Sequence, residues 1–276
     1  MTATTTTTTA RAGGGASNEA QARRAGFWAN LAAVASRALR QIPREPEAVI
    51  PAVVVPMFFF AVNVGALENL AERGTGIDFK AFQLPVAIIF AVTGISRASS
   101  LVVDIQSGYF DRLLLAPVNR LALLLGLMVA DFTLVVALCL PVVVLGLIVG
   151  VHFVTGVAGI LAFVLTAGLW GLVYTGFPYA IALKTGNPAA VNASFILFFP
   201  FAFLTTSFLP ADALSGWLAT VAKFNPVTYL LEGLRSLVTE GWVAAPLVKG
   251  LLAIAVVGLV SQGLALAALR GRVKRA

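Results

Sequence analysis

Residues 120 to 150 read RLALLLGLMVADFTLVVALCLPVVVLGLIVG, and Asp131 is the one charged residue that follows Arg120 in this stretch. About 20 apolar residues in a helix are enough to cross the hydrocarbon core of a membrane. This run is longer than that requirement. It therefore predicts a membrane-spanning helix, and it sets the class expected for the rest of the chain.

The composition agrees with an integral membrane protein. Of the 276 residues, 59% are hydrophobic and 11% are charged, whereas soluble domains carry about 25% charged residues. Too few charges remain to cover a soluble surface, so we predict an all-α integral membrane protein with six transmembrane helices. The predicted spans cover residues 48–66, 82–103, 121–150, 157–183, 190–209 and 246–269, of which the fifth is short, aromatic and broken by Pro200.

Lysine and arginine predict the orientation of the spans. Six spans place both termini on one side, and most of the 19 basic residues lie there, including the basic tail 271–276. Because cytoplasmic loops are enriched in these residues, we predict a multi-pass protein of the cytoplasmic (plasma) membrane with both termini in the cytoplasm. Residues 1–26 are rich in threonine and glycine and have no apolar signal region, so a disordered cytoplasmic tail is expected.

An amphipathic helix is predicted over residues 27–44, ahead of the first span. Its apolar side chains recur every three or four positions, and Arg37 and Arg40 lie between them. Such a helix suits the headgroup layer of the membrane. A helix that packs on protein is the alternative. Pro43 and Pro46 predict its end.

Two long segments between spans carry the functional signals. The cytoplasmic segment reads DIQSGYFDRLLLAPVNR from Asp104 to Arg120, and it predicts a short helix that ends before Pro117. Phe110 lies on the apolar side of this helix and Asp111 on its charged side. A soluble partner could seat such a helix in a cleft, with apolar anchors for affinity and charges for register. A simple interfacial turn is the alternative.

The external segment, residues 210–242, predicts two short helices that meet at the turn signal Asn225-Pro226. They cover about residues 211–223 and 227–239. Each has an apolar face, but each is too short and too polar to span a membrane. We therefore expect both helices to dip into the outer leaflet or to cap it.

Two motifs in this order resemble a known family. The first leads into the third span and comprises Asp104, Gly108, Phe110, Asp111, Pro117 and Arg120. The second precedes the last span and comprises Trp217, the sequence NPVTY from Asn225, Arg235 and Gly241. With the six spans, they make residues 27–270 similar to the permease subunits of ABC-2 type exporters, particularly the daunorubicin-resistance-like branch.

The resemblance implies a connecting helix before the first span, a coupling helix at 104–118, and two re-entrant helices between spans 5 and 6. It also implies two partners, an ABC ATPase (nucleotide-binding) subunit and a second copy of the permease or a sister permease. The predicted ATPase-coupling residues are Asp104, Gly108, Tyr109, Phe110, Asp111, Arg112, Leu113, Pro117 and Arg120. The predicted re-entrant motif comprises Trp217, Asn225, Pro226, Tyr229, Glu232 and Arg235.

No nucleotide site and no catalytic centre are predicted in this chain. A phosphate-binding loop needs GxxxxGKS or GxxxxGKT, and no lysine here follows a glycine. One cysteine and one histidine predict no metal site. We therefore expect a transporter permease that is not an enzyme, with ATP and Mg bound by the partner subunit. The chain has a net charge of +7, and its basic residues flank apolar runs. We therefore expect membrane lipids as partners, and we do not expect nucleic acid.

Some charged residues lie inside or beside the predicted spans. Asp131 lies within a span, where ionisable residues are functional candidates by default. A proton relay would need a second buried acid or histidine, so a structural hydrogen bond or pair is expected, with Arg97 as its candidate partner. Glu232 and Arg235 lie three positions apart on one helix and are placed to pair.

The fifth span supplies the candidate substrate path. It is rich in phenylalanine, and hydroxyl side chains follow near its outer end. An amphiphilic substrate would follow this face between two protomers, whereas packing or lipid contact is the alternative for each single ring. The candidate path residues are Phe195, Phe198, Phe199, Phe203, Thr205 and Thr206.

The predicted function is the transmembrane permease subunit of an ATP-driven exporter that moves a hydrophobic drug or lipid-like molecule outward. A permease that exports a polysaccharide or glycolipid is the nearest alternative within the same family. An ion-driven secondary transporter, which would need several charges within the membrane, and a membrane scaffold or assembly factor are the remaining alternatives.

Overall fold

The computed structural model describes residues 26–44, 46–115 and 120–274, and this part of the chain is helical without a strand. The predicted tail 1–26, apart from Gly26, lies outside the described residues, as do Pro117 and the side chain of Arg120. The helices are α1 (Phe27–Gln41), α2 (Pro46–Thr75), α3 (Phe79–Thr93), α4 (Ala98–Gln106), α5 (Tyr109–Leu115), α6 (Arg120–Ile148), α7 (Gly156–Tyr174), α8 (Gly176–Thr185), α9 (Pro188–Ser194), α10 (Phe198–Phe203), α11 (Gly216–Phe224), α12 (Pro226–Thr239) and α13 (Ala244–Val273).

Five helical segments in the described residues are long and apolar enough to cross a membrane, judged by length and composition. They are Val49–Asn69, Phe79–Gln106, Leu121–Ile148, Gly156–Thr185 and Ala244–Val273. These segments match five of the six predicted spans. The remaining one, predicted at 190–209, forms a shorter apolar helical segment, Pro188–Phe203. A sixth crossing therefore stays a prediction.

The outer surface of the long helices is apolar. Leu140 and Ile148 of α6, Leu161 of α7 and Leu259 of α13 are all exposed. Soluble proteins rarely expose contiguous apolar surface on this scale. Lipid or another apolar protein surface has to cover these helices, as expected for a multi-pass membrane protein.

The second and fourth predicted spans are interrupted helices. Residues 94–97 separate α3 from α4, and Thr175 lies between α7 and α8. A backbone amide freed at such a break needs a new acceptor, because an unpaired buried amide is costly. At the first break, the amide of Arg97 donates to the carboxylate of Asp131 at 2.9 Å.

Helix α1 (Phe27–Gln41) lies where an amphipathic helix is predicted, ahead of the first span. Its buried residues Ala35 and Ala38 lie on the face that packs against α6. The contact is close, because a Cβ atom at Gly126 of α6 would lie 2.7 Å from the Cβ atom of Val34. Trp28, in the first turn of α1, is exposed, and the placement of α1 in the lipid headgroup layer stays a prediction.

The bundle has two ends, which we name by the predicted orientation. The inner end holds α5 and the C-terminal end of α13, and the outer end holds α12 and the start of α13. One buried hydrophobic cluster includes Leu84, Leu138 and Phe163 and joins α3, α6, α7 and α12. A second cluster, which includes Phe110 and Tyr179, joins α4, α5, α6, α8 and α13.

Helix α13 is held along its length by close backbone contacts. A Cβ atom at Gly176 of α8 would lie 2.5 Å from the carbonyl carbon of Ser261 in α13. A Cβ atom at Gly233 of α12 would lie 2.9 Å from the carbonyl oxygen of Pro246, and Gly250 makes a similar contact. Small residues allow membrane helices to approach in this way.

The α8–α13 contact predicts the effect of one methyl group. Gly176→Ala is expected to push the helices apart and to destabilise the protein by about 1–3 kcal/mol, as overpacking usually does. Gly263→Ala on α13 is the matched control, since a Cβ atom there meets nothing within 4 Å. Thermal unfolding in detergent measures both variants. Equal midpoints for the two would contradict the close contact.

Candidate functional site

The described part of the predicted coupling helix 104–118, up to Leu115, comprises parts of two helices. Asp104 belongs to α4, which ends at Gln106, and α5 begins at Tyr109. Between them Gly108 has a φ of +72°, a left-handed conformation that glycine adopts without strain. The short helix predicted between Asp104 and Pro117 is therefore divided, because the chain turns at this glycine.

An arginine of α1 holds the turn. The Nη1 and Nη2 groups of Arg37 donate to the two carboxylate oxygens of Asp104, at 3.2 and 2.9 Å. The same guanidinium lies 4.2 Å from the ring centre of Tyr109, which is a cation–π contact. The hydrogen bond to Asp104 raises the pKa of Arg37. Bidentate pairing fixes orientation as well as distance, so α1 and the α4–α5 turn are fixed to each other.

A second arginine holds α5 itself. Arg272, in the last turn of α13, donates from Nε and Nη2 to Oδ1 of Asp111 at 3.3 and 3.2 Å, and from Nη2 to Oδ2 at 3.2 Å. The sequence predicts that Asp111 faces a soluble partner. Its carboxylate is instead paired within the chain, since the end of α13 reaches α5.

The structure describes the burial of five side chains of α5, Tyr109 to Leu113. Arg112 is exposed and Tyr109 is 38% exposed, whereas Leu113 is half-buried. Phe110 is 4% exposed and packs in the second hydrophobic cluster. Phe110 is therefore not the apolar anchor expected for a partner, because it faces the bundle. Among these described side chains, Arg112 and Tyr109 are open to a partner, and Asp111 is 40% exposed beside its pairing with Arg272.

Asp131 is a buried hydrogen-bond acceptor at the centre of the bundle. One carboxylate oxygen accepts from the backbone amide of Arg97, and the other accepts from the hydroxyl of Tyr179 at 2.6 Å. The guanidinium of Arg97 donates to the side chain of Gln41 at 3.0 Å. The expected structural hydrogen bond exists, with the backbone of Arg97 as donor and with an additional tyrosine. The carboxylate thus gives an acceptor to the backbone amide of Arg97, at the break between α3 and α4.

The predicted substrate path divides into a buried and an exposed part. Phe198 is buried and lies 5.6 Å from Phe90, measured between ring centroids. Phe199 and Phe203 stack at 6.0 Å and are among the exposed apolar side chains, and Phe195 is partly exposed. The exposed rings of α10 are available to lipid, to a substrate or to a second protein.

The NPVTY motif joins the start of α12 to the end of α10. Asn225 caps α12 by accepting from an amide of its first turn at 3.0 Å. The side-chain amide of Asn225 donates to the carbonyl oxygens of Phe201 and Leu204 at 2.6 and 2.8 Å. The hydroxyls of Thr205 and Thr228 lie 2.6 Å apart. Backbone groups freed at the end of α10 are thus satisfied by side chains of the motif.

Arg235 of α12 connects three segments at the outer end. Its Nε donates to the carbonyl oxygen of Phe82 at 3.1 Å, Nη1 to the hydroxyl of Thr206 at 3.0 Å, and Nη2 to the carbonyl oxygen of Thr206 at 2.7 Å. The guanidinium also lies 3.5 Å from the ring centre of Phe82. Burial lowers the pKa of Arg235 to about 9. This value is still above neutral pH, so the guanidinium stays protonated. We call Phe82, Thr206, Asn225 and Arg235 the outer lock.

The predicted ion pair between Glu232 and Arg235, both described residues, is not formed. The guanidinium of Arg235 is engaged in the outer lock instead. Both side chains line a cavity of about 520 Å³ at the outer end, together with Asp78, Asp212 and Glu240. Burial raises the pKa of Glu232. Within the described ranges, no group of three or more His, Cys, Asp or Glu residues could hold a metal ion.

The first external helix begins later than predicted. Residues 211–213 form a single 3₁₀ turn, and α11 starts at Gly216, which has a φ of +65°. Trp217 on α11 is exposed. The hydroxyl of Tyr229 donates to the carbonyl oxygen of Lys223 at 2.6 Å, and this bond ties α12 back to α11.

Four residues of these sites escape prediction from the sequence. Basic residues beside spans are expected from topology alone, so nothing in the pattern singles out Arg37 or Arg272. Tyr179 and Phe82 lie in apolar runs, where aromatic residues are ordinary. Only the fold shows that Tyr179 contacts Asp131 and that the carbonyl of Phe82 accepts from Arg235.

The long apolar helices and their exposed apolar surface define a multi-pass membrane protein. The family model for ABC-2 type transporters matches residues 29–239, and the chain belongs to that family. It is 25% identical to "Daunorubicin resistance ABC transporter permease protein DrrB1" of Streptomyces coeruleorubidus, over 73% of this chain and 72% of that protein. It is also 25% identical to "Probable doxorubicin resistance ABC transporter permease protein DrrC" of Mycobacterium tuberculosis, over 77% of this chain and 78% of that protein.

The outer lock predicts a difference between two conservative substitutions. Arg235→Lys keeps the charge but loses the planar fork that reaches Phe82 and Thr206 together. Buried acceptors left without a donor cost about 1–3 kcal/mol, so the thermal unfolding midpoint in detergent should fall. Arg73→Lys, at an exposed arginine of α2, is the control. An unchanged midpoint for Arg235→Lys would contradict the lock.

Proposed function

We propose that this chain is the permease subunit of an ATP-driven exporter that moves a hydrophobic drug or lipid-like molecule out across the cytoplasmic membrane. Its ATP would be hydrolysed by a separate ABC ATPase subunit, which binds the nucleotide and Mg. Two permease copies, or this chain and a sister permease, complete the transporter. Both termini lie in the cytoplasm in this arrangement.

One observation carries the proposal: the inner end of the bundle presents an accessible helix, whereas the outer end is closed by hydrogen bonds. At the inner end, α5 presents Arg112 and Tyr109 on its accessible face. At the outer end, the buried Arg235 joins α3, α12 and the segment after α10. An accessible docking helix on one side and a closed polar lock on the other are what an exporter needs at rest.

The names of the relatives support the choice of a drug as substrate. Two similar permeases are described as daunorubicin and doxorubicin resistance proteins. The phenylalanine-rich surface of α10 fits such a cargo, because flat aromatic molecules stack well on aromatic side chains. In the proposed transporter, Phe199 and Phe203 face the second permease copy and line the path with it.

The proposed mechanism couples the two ends. Closure of the ATPase subunits around ATP pushes α5, and the push moves the spans connected to the α4–α5 turn. For the path to open outward, the hydrogen bonds from Arg235 to Thr206 have to break. The cargo leaves past this point, and the bonds form again when the ATPase resets.

The proposal is tested by purification from the native membrane in a mild detergent. A tagged chain is expected to bring down an ABC ATPase subunit in a fixed ratio. Arg112→Glu should weaken that association by about tenfold, the effect of roughly 1.4 kcal/mol at an interface. Arg270→Glu makes the same charge change at an exposed arginine of α13 and serves as the control.

Two results would contradict the proposal. One is a chain that arrives without an ATPase in a detergent in which a known ABC transporter stays assembled. The other is an equal loss of ATPase for Arg112→Glu and Arg270→Glu, since that would mean general charge sensitivity and not docking at α5.

A further inference from the structure

We propose that Arg272 is a positioning residue for the coupling helix and that α13 forms a mechanical link from α5 to the outer lock. The inference rests on the proposed function and adds a route to it. In this arrangement, the pair that Arg272 forms with Asp111 biases the last span to move with α5, in addition to the spans that flank α5 in the chain.

The contact between α13 and α5 has the geometry of a specific pair. Arg272 makes three hydrogen bonds to both carboxylate oxygens of Asp111. Asp111 lies on α5 itself, whereas Asp104, which Arg37 holds, lies on α4 before the turn at Gly108. Arg37 therefore orients the turn, and Arg272 biases the direction that α5 takes after it.

The middle of α13 is attached to the fourth span. Close backbone contact at Gly176 and Ser261 joins it to α8. The hydroxyl of Ser261 donates to the carbonyl oxygen of Val173, and the side chain of Gln262 donates to that of Leu172 at 3.1 Å. These bonds prevent α13 from sliding independently of α7 and α8. A displacement at its inner end is thus expected to tilt the helix as a rigid rod.

The start of α13 is attached to the helix that carries the outer lock. Gly233 of α12 approaches the backbone of Pro246, and Gly250 of α13 approaches the backbone of Tyr229. Because these contacts involve backbone atoms, α12 has to follow α13. Arg235 lies two residues after Gly233, so a tilt of α13 changes the position of the guanidinium relative to Thr206.

The strength of the Asp111–Arg272 pair suits a contact that is rearranged during a cycle. The side chains of Arg272 and Asp111 are 22% and 40% exposed, and pairs of such exposure shift equilibria by only about two- to fivefold. The pair therefore biases the direction of α5 and can be remade at each turnover. It does not hold the fold together.

The test uses the complete complex with its ATPase subunit in proteoliposomes, and it measures drug transported per ATP hydrolysed. Arg272→Glu and Asp111→Arg should each lower this ratio by about two- to fivefold. The double variant Asp111→Arg/Arg272→Asp restores an opposite pair and should recover the ratio, and Arg272→Lys should retain most of it. Arg270→Glu, two residues away and exposed, should leave the ratio unchanged.

The amount of drug transported per ATP hydrolysed distinguishes mispositioning of α5 from a loss of protein stability. A purely structural defect lowers transport and hydrolysis together and lowers the unfolding midpoint, whereas mispositioning of α5 lowers transport per ATP at an unchanged midpoint. A ratio for Arg272→Glu equal to that for Arg270→Glu, or a swapped pair no better than the single variants, would overturn the inference while the proposed function stands. If the unmodified complex transports nothing with ATP, the proposed function falls and the inference falls with it.

Discussion

The whole structure depends on the requirement that buried backbone groups in an apolar environment find partners within the chain. The bilayer offers no water to an open amide or carbonyl, so helices are the economical solution for a chain of this composition. Each departure from a continuous helix then needs a polar side chain beside it. Asp131 lies at the α3–α4 break and accepts from the amide of Arg97, and Asn225 binds two carbonyl oxygens at the end of α10. Asp131 and Asn225 are placed by this requirement.

The same requirement concentrates function at the two ends of the bundle. At the inner end, Arg37 and Arg272 hold the acidic residues beside and on α5, and Arg112 stays accessible. At the outer end, Arg235 donates to the carbonyl oxygens of Phe82 in α3 and of Thr206 after α10. Charged groups near the ends of helices cost less than charges in the centre of a membrane. Making a polar contact at the inner end and breaking another at the outer end therefore changes the shape of such a bundle at a low cost in free energy.

Much of the fold follows from the sequence because hydrophobic run length and basic flanks are strong signals. Five spans, the amphipathic α1 and the turn at Asn225 are all predicted from the chain alone. The interruption of the second span is missed, because residues 94–97 are only four positions between two apolar runs, and what stabilises the break is Asp131 in another helix. The pairing of Asp111 is missed for the same reason, since its partner is 161 residues away. Long-range pairs leave no local pattern.

Transport by inside-out membrane vesicles tests the central claim, namely that ATP binding at the inner end opens the outer end to a drug. Vesicles that contain this chain and its ATPase subunit are supplied with daunorubicin, with and without ATP, and with the ion gradients dissipated by an uncoupler. The account predicts uptake that requires ATP and this chain and that survives the uncoupler. Uptake that proceeds without ATP and collapses with the gradient would contradict it, because the chain would then be driven by ions.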